Sequence, residues 1–100
     1  MTEEQKNTCR ISSEAVSLLD SLMKHEGMEH LSKRLQSRAD DLADEVLHRH
    51  DLSDKDREQC RLIRLGILEA LKLPSEEREA HVRVLAKHGL QPGDGIEYGL

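Results

Sequence analysis

Apolar residues recur along most of the chain at steps of three and four positions, which is the spacing of one face of an α-helix. Segments with this spacing predict helices over residues 13–26, 28–50, 53–73 and 75–88. Only short connections separate them, and short connections favour antiparallel neighbours. The pattern therefore predicts an all-α, four-helix bundle-like domain over residues 1–90, followed by an irregular tail over residues 91–100.

Both ends of the first helix carry recognisable signals. Thr2 and Gln5 have the spacing of a capping box, in which each side chain accepts a hydrogen bond from the other residue's backbone N–H. Ser13, which an acidic residue follows, is an equally suitable start. Gly27 is expected to close the helix in the left-handed conformation, with a tight corner before the second helix.

Serine, proline and glycine set the expected limits of the third and fourth helices. Ser53 is a suitable N-cap for the third helix. Pro74 is expected to end that helix, because proline has no N–H and clashes with the preceding turn. Ser75 and the two glutamates after it predict the start of a fourth helix, and Gly89 predicts its end.

The third predicted helix is the most apolar segment of the chain. On a helical wheel, half of its surface carries Cys60, Leu62, Ile63, Gly66, Ile67, Ala70, Leu71 and Leu73. A helix that is apolar over half of its surface usually contacts two or more neighbours. We therefore expect residues 53–73 to lie at the centre of the bundle, with Cys60 as a small core residue.

The last ten residues change in character. Residues 92–95, with the sequence Pro-Gly-Asp-Gly, favour turns over helix. Ile96, Tyr98 and Leu100 then alternate with small or polar residues, a strand-like pattern that is too short to form a sheet alone. The tail is expected to pack on the bundle, to cross to a partner or to lack fixed structure.

Composition excludes several kinds of binding site. The chain of 100 residues has no Phe or Trp, and Tyr98 is its single tyrosine. Modules that bind single-stranded nucleic acid need aromatic faces on which bases stack. The formal net charge of −5 opposes binding to nucleic acid or to an anionic membrane. Both are therefore disfavoured as partners.

The two cysteines and the lack of long apolar runs bear on compartment and cofactors. Cys9 and Cys60 form no C-x-x-C pair, so neither a zinc knuckle nor a thioredoxin-like site is expected. No apolar run approaches membrane-spanning length, and no apolar signal segment follows Met1. We therefore expect a cytoplasmic protein with reduced thiols and no cofactor, with a Cys9–Cys60 disulfide as a minor alternative.

One spacing on the second helix is typical of a metal site. Glu45 and His48 have the Glu-x-x-His spacing by which a helix offers a carboxylate and an imidazole to a di-iron centre. No second copy of this motif occurs in the chain, and both residues face away from the apolar stripe. A metal-binding helical bundle, completed by a symmetric dimer, is therefore a second alternative function.

The third predicted helix also carries a basic ridge. Arg57, Arg61 and Arg64 lie along it, and three like charges repel one another unless an acidic group is near. The acidic residues of the second helix are one candidate for that group: Asp40, Asp41, Asp44 and Glu45. Phosphate, as in DNA, is the other candidate. The first alternative function is therefore a DNA-associated regulator with the fourth helix as its recognition element. The glutamates that begin that helix oppose the DNA hypothesis.

Two histidines lie toward the apolar arc of the fourth predicted helix. We expect His81 and His88 at the rim of the core, each with one hydrogen bond to a backbone carbonyl. Because histidine changes charge near neutral pH, a pH-dependent interface is the alternative.

Leucines on otherwise polar helix faces indicate the function that the sequence favours. Leu65 and Leu68 lie one turn apart, so they can pair with their counterparts across a two-fold axis. The chain has no Gly-rich phosphate loop and no nucleophile motif. We therefore predict a small non-enzymatic interaction or assembly protein that forms a homodimer or higher oligomer, or binds another protein. Its expected interface residues are Leu47, Leu65, Leu68 and Tyr98.

Overall fold

The computed structural model describes residues 1–95, and this part of the chain consists of helices and their connections. Helix α1 is Glu3–Lys24, helix α2 is Glu26–His48 and helix α3 is Asp54–Lys87. The all-α prediction is therefore confirmed. The four-helix bundle is not confirmed, because only three helices are found within residues 1–95.

Pro74 lies inside α3 instead of ending it. A proline in a helix interior costs about 3 kcal/mol relative to alanine, which is why a stop was expected there. Residues on both sides of it are packed, since Leu71 is half-buried and Leu85 is fully buried. The predicted helices 53–73 and 75–88 are thus one helix, and Ser75 is not an N-cap.

The chain divides into two compact units. Unit 1 joins residues 1–25 to residues 74–95, and unit 2 is Glu26–Leu73. The boundary falls at Pro74, so α3 gives its first part to unit 2 and its last part to unit 1.

Helix α1 begins at the earlier of its two candidate starts. Thr2 Oγ1 accepts a hydrogen bond from the Gln5 N–H at 3.1 Å, and Gln5 Oε1 accepts one from the Thr2 N–H at 2.9 Å. Both halves of the capping box are therefore present, and acidic residues occupy the first turn. Ser13 lies well inside the helix.

A single residue, His25, separates α1 from α2, so the connection is as short as predicted. His25 has an extended backbone, with φ −71° and ψ 132°, and its N–H donates to the Leu22 carbonyl at 3.1 Å. Because this extended residue ends the helix, no left-handed glycine is needed. Gly27 lies inside α2, and the prediction that it closes the first helix was wrong.

Residues 49–53 connect α2 to α3. Ser53 caps α3 as predicted, since its Oγ accepts a hydrogen bond from the Asp56 N–H at 3.1 Å. The Arg49 guanidinium donates hydrogen bonds to both Asp51 carboxylate oxygens, at 3.2 and 2.9 Å. These bonds are the main reason why the pKa of the exposed Asp51 carboxyl lies below its ordinary value.

Arg57 fastens the beginning of α3 to the end of α2. Its guanidinium donates to the Val46 carbonyl, and to the Arg49 carbonyl at 2.6 Å. Carbonyls at the C-terminus of a helix have no partner within it, and the helix dipole favours a cation there. Arg57 therefore holds the antiparallel α2–α3 hairpin together at its loop end.

Unit 1 has a small aliphatic core. Cys9 and Val16 from α1 and Leu85 from α3 are buried together, and Val82 and Leu90 pack against them. Both cysteines of the chain are free thiols, so the disulfide alternative is wrong.

Helix α3 ends as its sequence predicts. Gly89 has φ 72°, and its N–H donates to the Ala86 carbonyl at 3.0 Å. The Leu90 N–H donates to the Leu85 carbonyl at 3.0 Å. These two bonds form a Schellman motif, and Leu90 covers the end of the core.

Residues 91–94 form a turn, which overlaps the segment 92–95 for which the sequence favours turns. The Asp94 N–H donates to the Gln91 carbonyl at 3.1 Å, and Gly93 between them has φ 92°. Pro92 and Gly93 occupy the positions that suit them in a type II turn. Ile96, Tyr98 and Leu100 lie outside the described residues, so their strand-like pattern stays a prediction.

Among the helices of residues 1–95, none is long and apolar enough to cross a membrane.

Candidate interaction surface

Unit 2 buries very little of its own apolar surface. Ala39 and Leu42 are its buried hydrophobic residues. Its exposed large apolar side chains lie on both helices: Leu31, Leu47, Leu62, Ile63, Leu65 and Leu73. Exposed apolar side chains are available for contact with other molecules. Unit 2 is therefore the candidate interaction surface.

The prediction that residues 53–73 form the buried centre was wrong. Ile63 is 46% exposed, and no residue of α3 before Leu85 is fully buried. The half-buried residues of this segment share one side of α3: Arg57, Cys60, Arg64, Ile67, Leu68 and Leu71. At 100° per residue, that side is rotated by roughly a quarter-turn from the apolar half that the wheel favoured. The aliphatic stems of Arg57 and Arg64 cover part of the contact between α2 and α3. Leu62 and Leu73 lie outside that contact and are exposed.

A groove lies on the hairpin surface between α2 and α3. Its volume is about 360 Å³, near the lower end of the range of roughly 300–1,000 Å³ that small-molecule pockets occupy. Its lining comes from both helices of unit 2: Leu42, Ala43, Val46, Leu47, Cys60, Arg61 and Arg64. One wall is therefore aliphatic, and the other carries a thiol and two guanidinium groups.

Of the predicted interface residues, Leu47 lines this groove and is 69% exposed. Leu65 is 54% exposed but is not among the residues that line the groove. Leu68 is half-buried. Tyr98 lies outside the described residues.

The three arginines of the predicted phosphate ridge have different environments. Arg57 is bound to backbone carbonyls of the α2 end. Arg61 is exposed and contacts Glu58 on its own helix at 3.7 Å. Arg64 is half-buried, and its Nε is buried without a hydrogen-bond partner in residues 1–95. The structure therefore brings Arg61 and Arg64 to one groove and diverts Arg57 from it.

The acidic residues of α2 do not neutralise these arginines within the chain. Among the ion pairs of residues 1–95, none joins Arg61 or Arg64 to α2. Asp40 accepts a hydrogen bond from Gln36 Nε2 at 3.2 Å, on its own helix. The expected acidic partner of the basic ridge is therefore not supplied by α2.

The weak metal candidates lie on α2 near its end. Glu45 is half-buried and His48 is exposed. Within residues 1–95, no group of three or more His, Cys, Asp or Glu side chains is placed to hold a metal ion.

Unit 1 contains a hydrogen-bond chain that the sequence did not reveal. His81 Nδ1 lies 3.1 Å from Ser12 Oγ, and His81 Nε2 lies 3.1 Å from Glu77 Oε1. The order hydroxyl, imidazole, carboxylate is that of a nucleophile with its base, but Ser12 is only 3% exposed. A substrate cannot reach the Ser12 Oγ. These hydrogen bonds therefore have a structural role, in which His81 gives the buried Ser12 hydroxyl a partner. His81 thus bonds to side chains, and not to a backbone carbonyl as predicted.

A second groove, of about 670 Å³, lies in unit 1 beside the 91–94 turn. Asp20 and Arg78 line it and form an ion pair at 2.6 Å. Arg78, which lies in the predicted fourth helix that the DNA hypothesis makes the recognition element, is therefore paired with Asp20 of α1. The fourth helix which that hypothesis requires is part of α3.

Comparison with known proteins adds no relative. The chain matches no protein-family model, and neither curated proteins nor solved structures give a significant match.

Proposed function

We propose that this chain is a small non-enzymatic assembly protein that associates with a second copy of itself through helix–helix contacts of unit 2. The observation that carries the proposal is the burial of only two hydrophobic residues in unit 2, beside six exposed large apolar side chains. Ordering a residue costs about 1–2 kcal/mol of backbone entropy, and apolar burial is the main term that offsets it. A second copy would supply the apolar burial that the hairpin lacks.

Two exposed leucines of unit 2, Leu47 in the groove and Leu65 on α3, set the scale of this contact. Fully burying a leucine contributes about 1.5–3 kcal/mol. Leu47 and Leu65 together expose slightly more than one whole side chain, from their 69% and 54% exposure. A symmetric dimer buries both leucines of each copy, for a gross gain of about 4–7 kcal/mol. Association costs about 4–15 kcal/mol, so further contacts of the hairpin must contribute and the dimer is expected to dissociate on dilution.

The test replaces these leucines by charged residues. Leu47→Glu combined with Leu65→Glu should lower the molar mass measured by light scattering to that of one chain, because a buried carboxylate without a partner is costly. Far-ultraviolet circular dichroism should stay near that of the unchanged protein, since both side chains are already exposed.

Leu18→Glu is the matched control. Leu18 is 71% exposed but lies on α1 in unit 1. The proposal requires that this variant keep the mass of the unchanged protein. An equal loss of mass in both variants would place the contact elsewhere, and no loss in the Leu47 and Leu65 variant would refute the proposal.

A further inference from the structure

The groove of unit 2 has an unmet electrostatic requirement on its α3 side. Arg64 Nε is buried with no acceptor in residues 1–95, and Arg61 has only an exposed contact with Glu58. A buried N–H without an acceptor is destabilising, and a guanidinium is best satisfied by a carboxylate. The groove is therefore suited to an occupant that brings both an apolar group and carboxylates.

Helix α2 presents that combination on its own surface. Asp40, Asp44 and Leu47 follow one another at steps of four and three residues, so they lie on one ridge of the helix. All three are exposed. Asp44 has no ion pair or hydrogen bond from its side chain within residues 1–95, and Asp40 has only its bond from Gln36. The chain thus carries an acidic and apolar ridge on one side of the groove and a basic ridge on the other.

We propose that a second copy of the chain fills the groove by inserting its Leu47. The α2 carboxylates of that copy, Asp40 and Asp44, accept hydrogen bonds from the two arginines at the rim. A two-fold axis makes the same contact twice, because each copy offers both the ridge and the groove. This inference rests on the proposed self-association and identifies its partner surface and its charge pairing.

A charge exchange tests the pairing. The variant with Arg61→Glu and Arg64→Glu should be a single chain in sedimentation equilibrium, because it sets carboxylates against carboxylates. The variant with Asp40→Arg and Asp44→Arg should also be a single chain. An equimolar mixture of the two should recover a dimer, because both of its groove contacts again pair opposite charges, Asp with Arg in one and Arg with Glu in the other.

The unchanged chain provides a second measurement that does not depend on the folding of any variant. Cys60 lines the groove and is half-buried, whereas Cys9 is fully buried in unit 1. The rate of Cys60 alkylation by iodoacetamide, followed by peptide mass spectrometry, should fall with rising protein concentration in proportion to the free monomer. A rate independent of concentration while the chain dimerises would overturn the inference.

The outcomes separate this inference from the proposed function. If the unchanged chain stays monomeric, both fail. If it dimerises and the Leu47 and Leu65 variant dissociates, but each charge variant alone stays dimeric, the proposed function stands and the charge pairing is wrong.

Discussion

Arg57 is the residue whose role is most specific to this fold. It donates to two carbonyls at the C-terminal end of α2 and is half-buried. Arg57→Met keeps the aliphatic stem and removes the donors, so it should lower the free energy of unfolding by about 1–2 kcal/mol. Urea denaturation at matched protein concentration measures this, since self-association makes stability depend on concentration.

Lys33→Met is the control for that variant. Lys33 forms an ion pair with Glu29 at 3.0 Å, but both side chains are largely exposed. Exposed pairs contribute about 0–1 kcal/mol, so this change should have a smaller effect. Equal effects of the two substitutions would show that Arg57 is only another surface charge.

The arginines also show what a helical wheel cannot predict. A wheel assigns Arg57 and Arg64 to the solvent side because of their charge, and the structure half-buries both. Long arginine stems can cover apolar surface while the guanidinium reaches polar groups. Whether such groups are present depends on the neighbouring helix, here on carbonyls of α2 that follow from the hairpin and not from local sequence.

At the scale of helices, Pro74 gives the sharpest prediction. Because Pro74 lies inside α3, Pro74→Ala should restore one backbone hydrogen bond and raise the free energy of unfolding by up to about 3 kcal/mol. Thermal unfolding followed by circular dichroism checks this, together with an increase in helical signal.

Pro92→Ala is the matched control, since it changes the other proline of the chain. Pro92 lies in the 91–94 turn, where its fixed φ is suited to the turn. Its replacement should lower stability by about 0.4–1 kcal/mol, the opposite sign. A destabilised Pro74→Ala variant would contradict a continuous α3.

The helix ends that the sequence predicts correctly are those with a complete local signal. Thr2 with Gln5, Ser53, and Gly89 with Leu90 each satisfy backbone groups within a few residues. Gly27 was misassigned because glycine is compatible with a helix as well as with the left-handed conformation. At Pro74, burial on both flanks outweighs the local preference for a stop, and on one flank Leu85 packs with Cys9 and Val16, which are far away in the sequence.

For the whole molecule, the amount of buried apolar surface is the main constraint. Within residues 1–95, five hydrophobic residues are buried, three in the core of unit 1 and two in unit 2. The sequence indicated this shortage through its lack of Phe and Trp and through Leu47 and Leu65 on polar faces. It could not place Leu47 at a groove with Arg61 and Arg64, because that needs the register between α2 and α3.

Sedimentation equilibrium of the unchanged chain over a dilution series tests self-association most directly. The mass should approach twice 11.4 kDa at high concentration and fall toward 11.4 kDa on dilution. A mass of 11.4 kDa at every concentration up to about 1 mM, equivalent to about −4 kcal/mol of binding free energy, would contradict it.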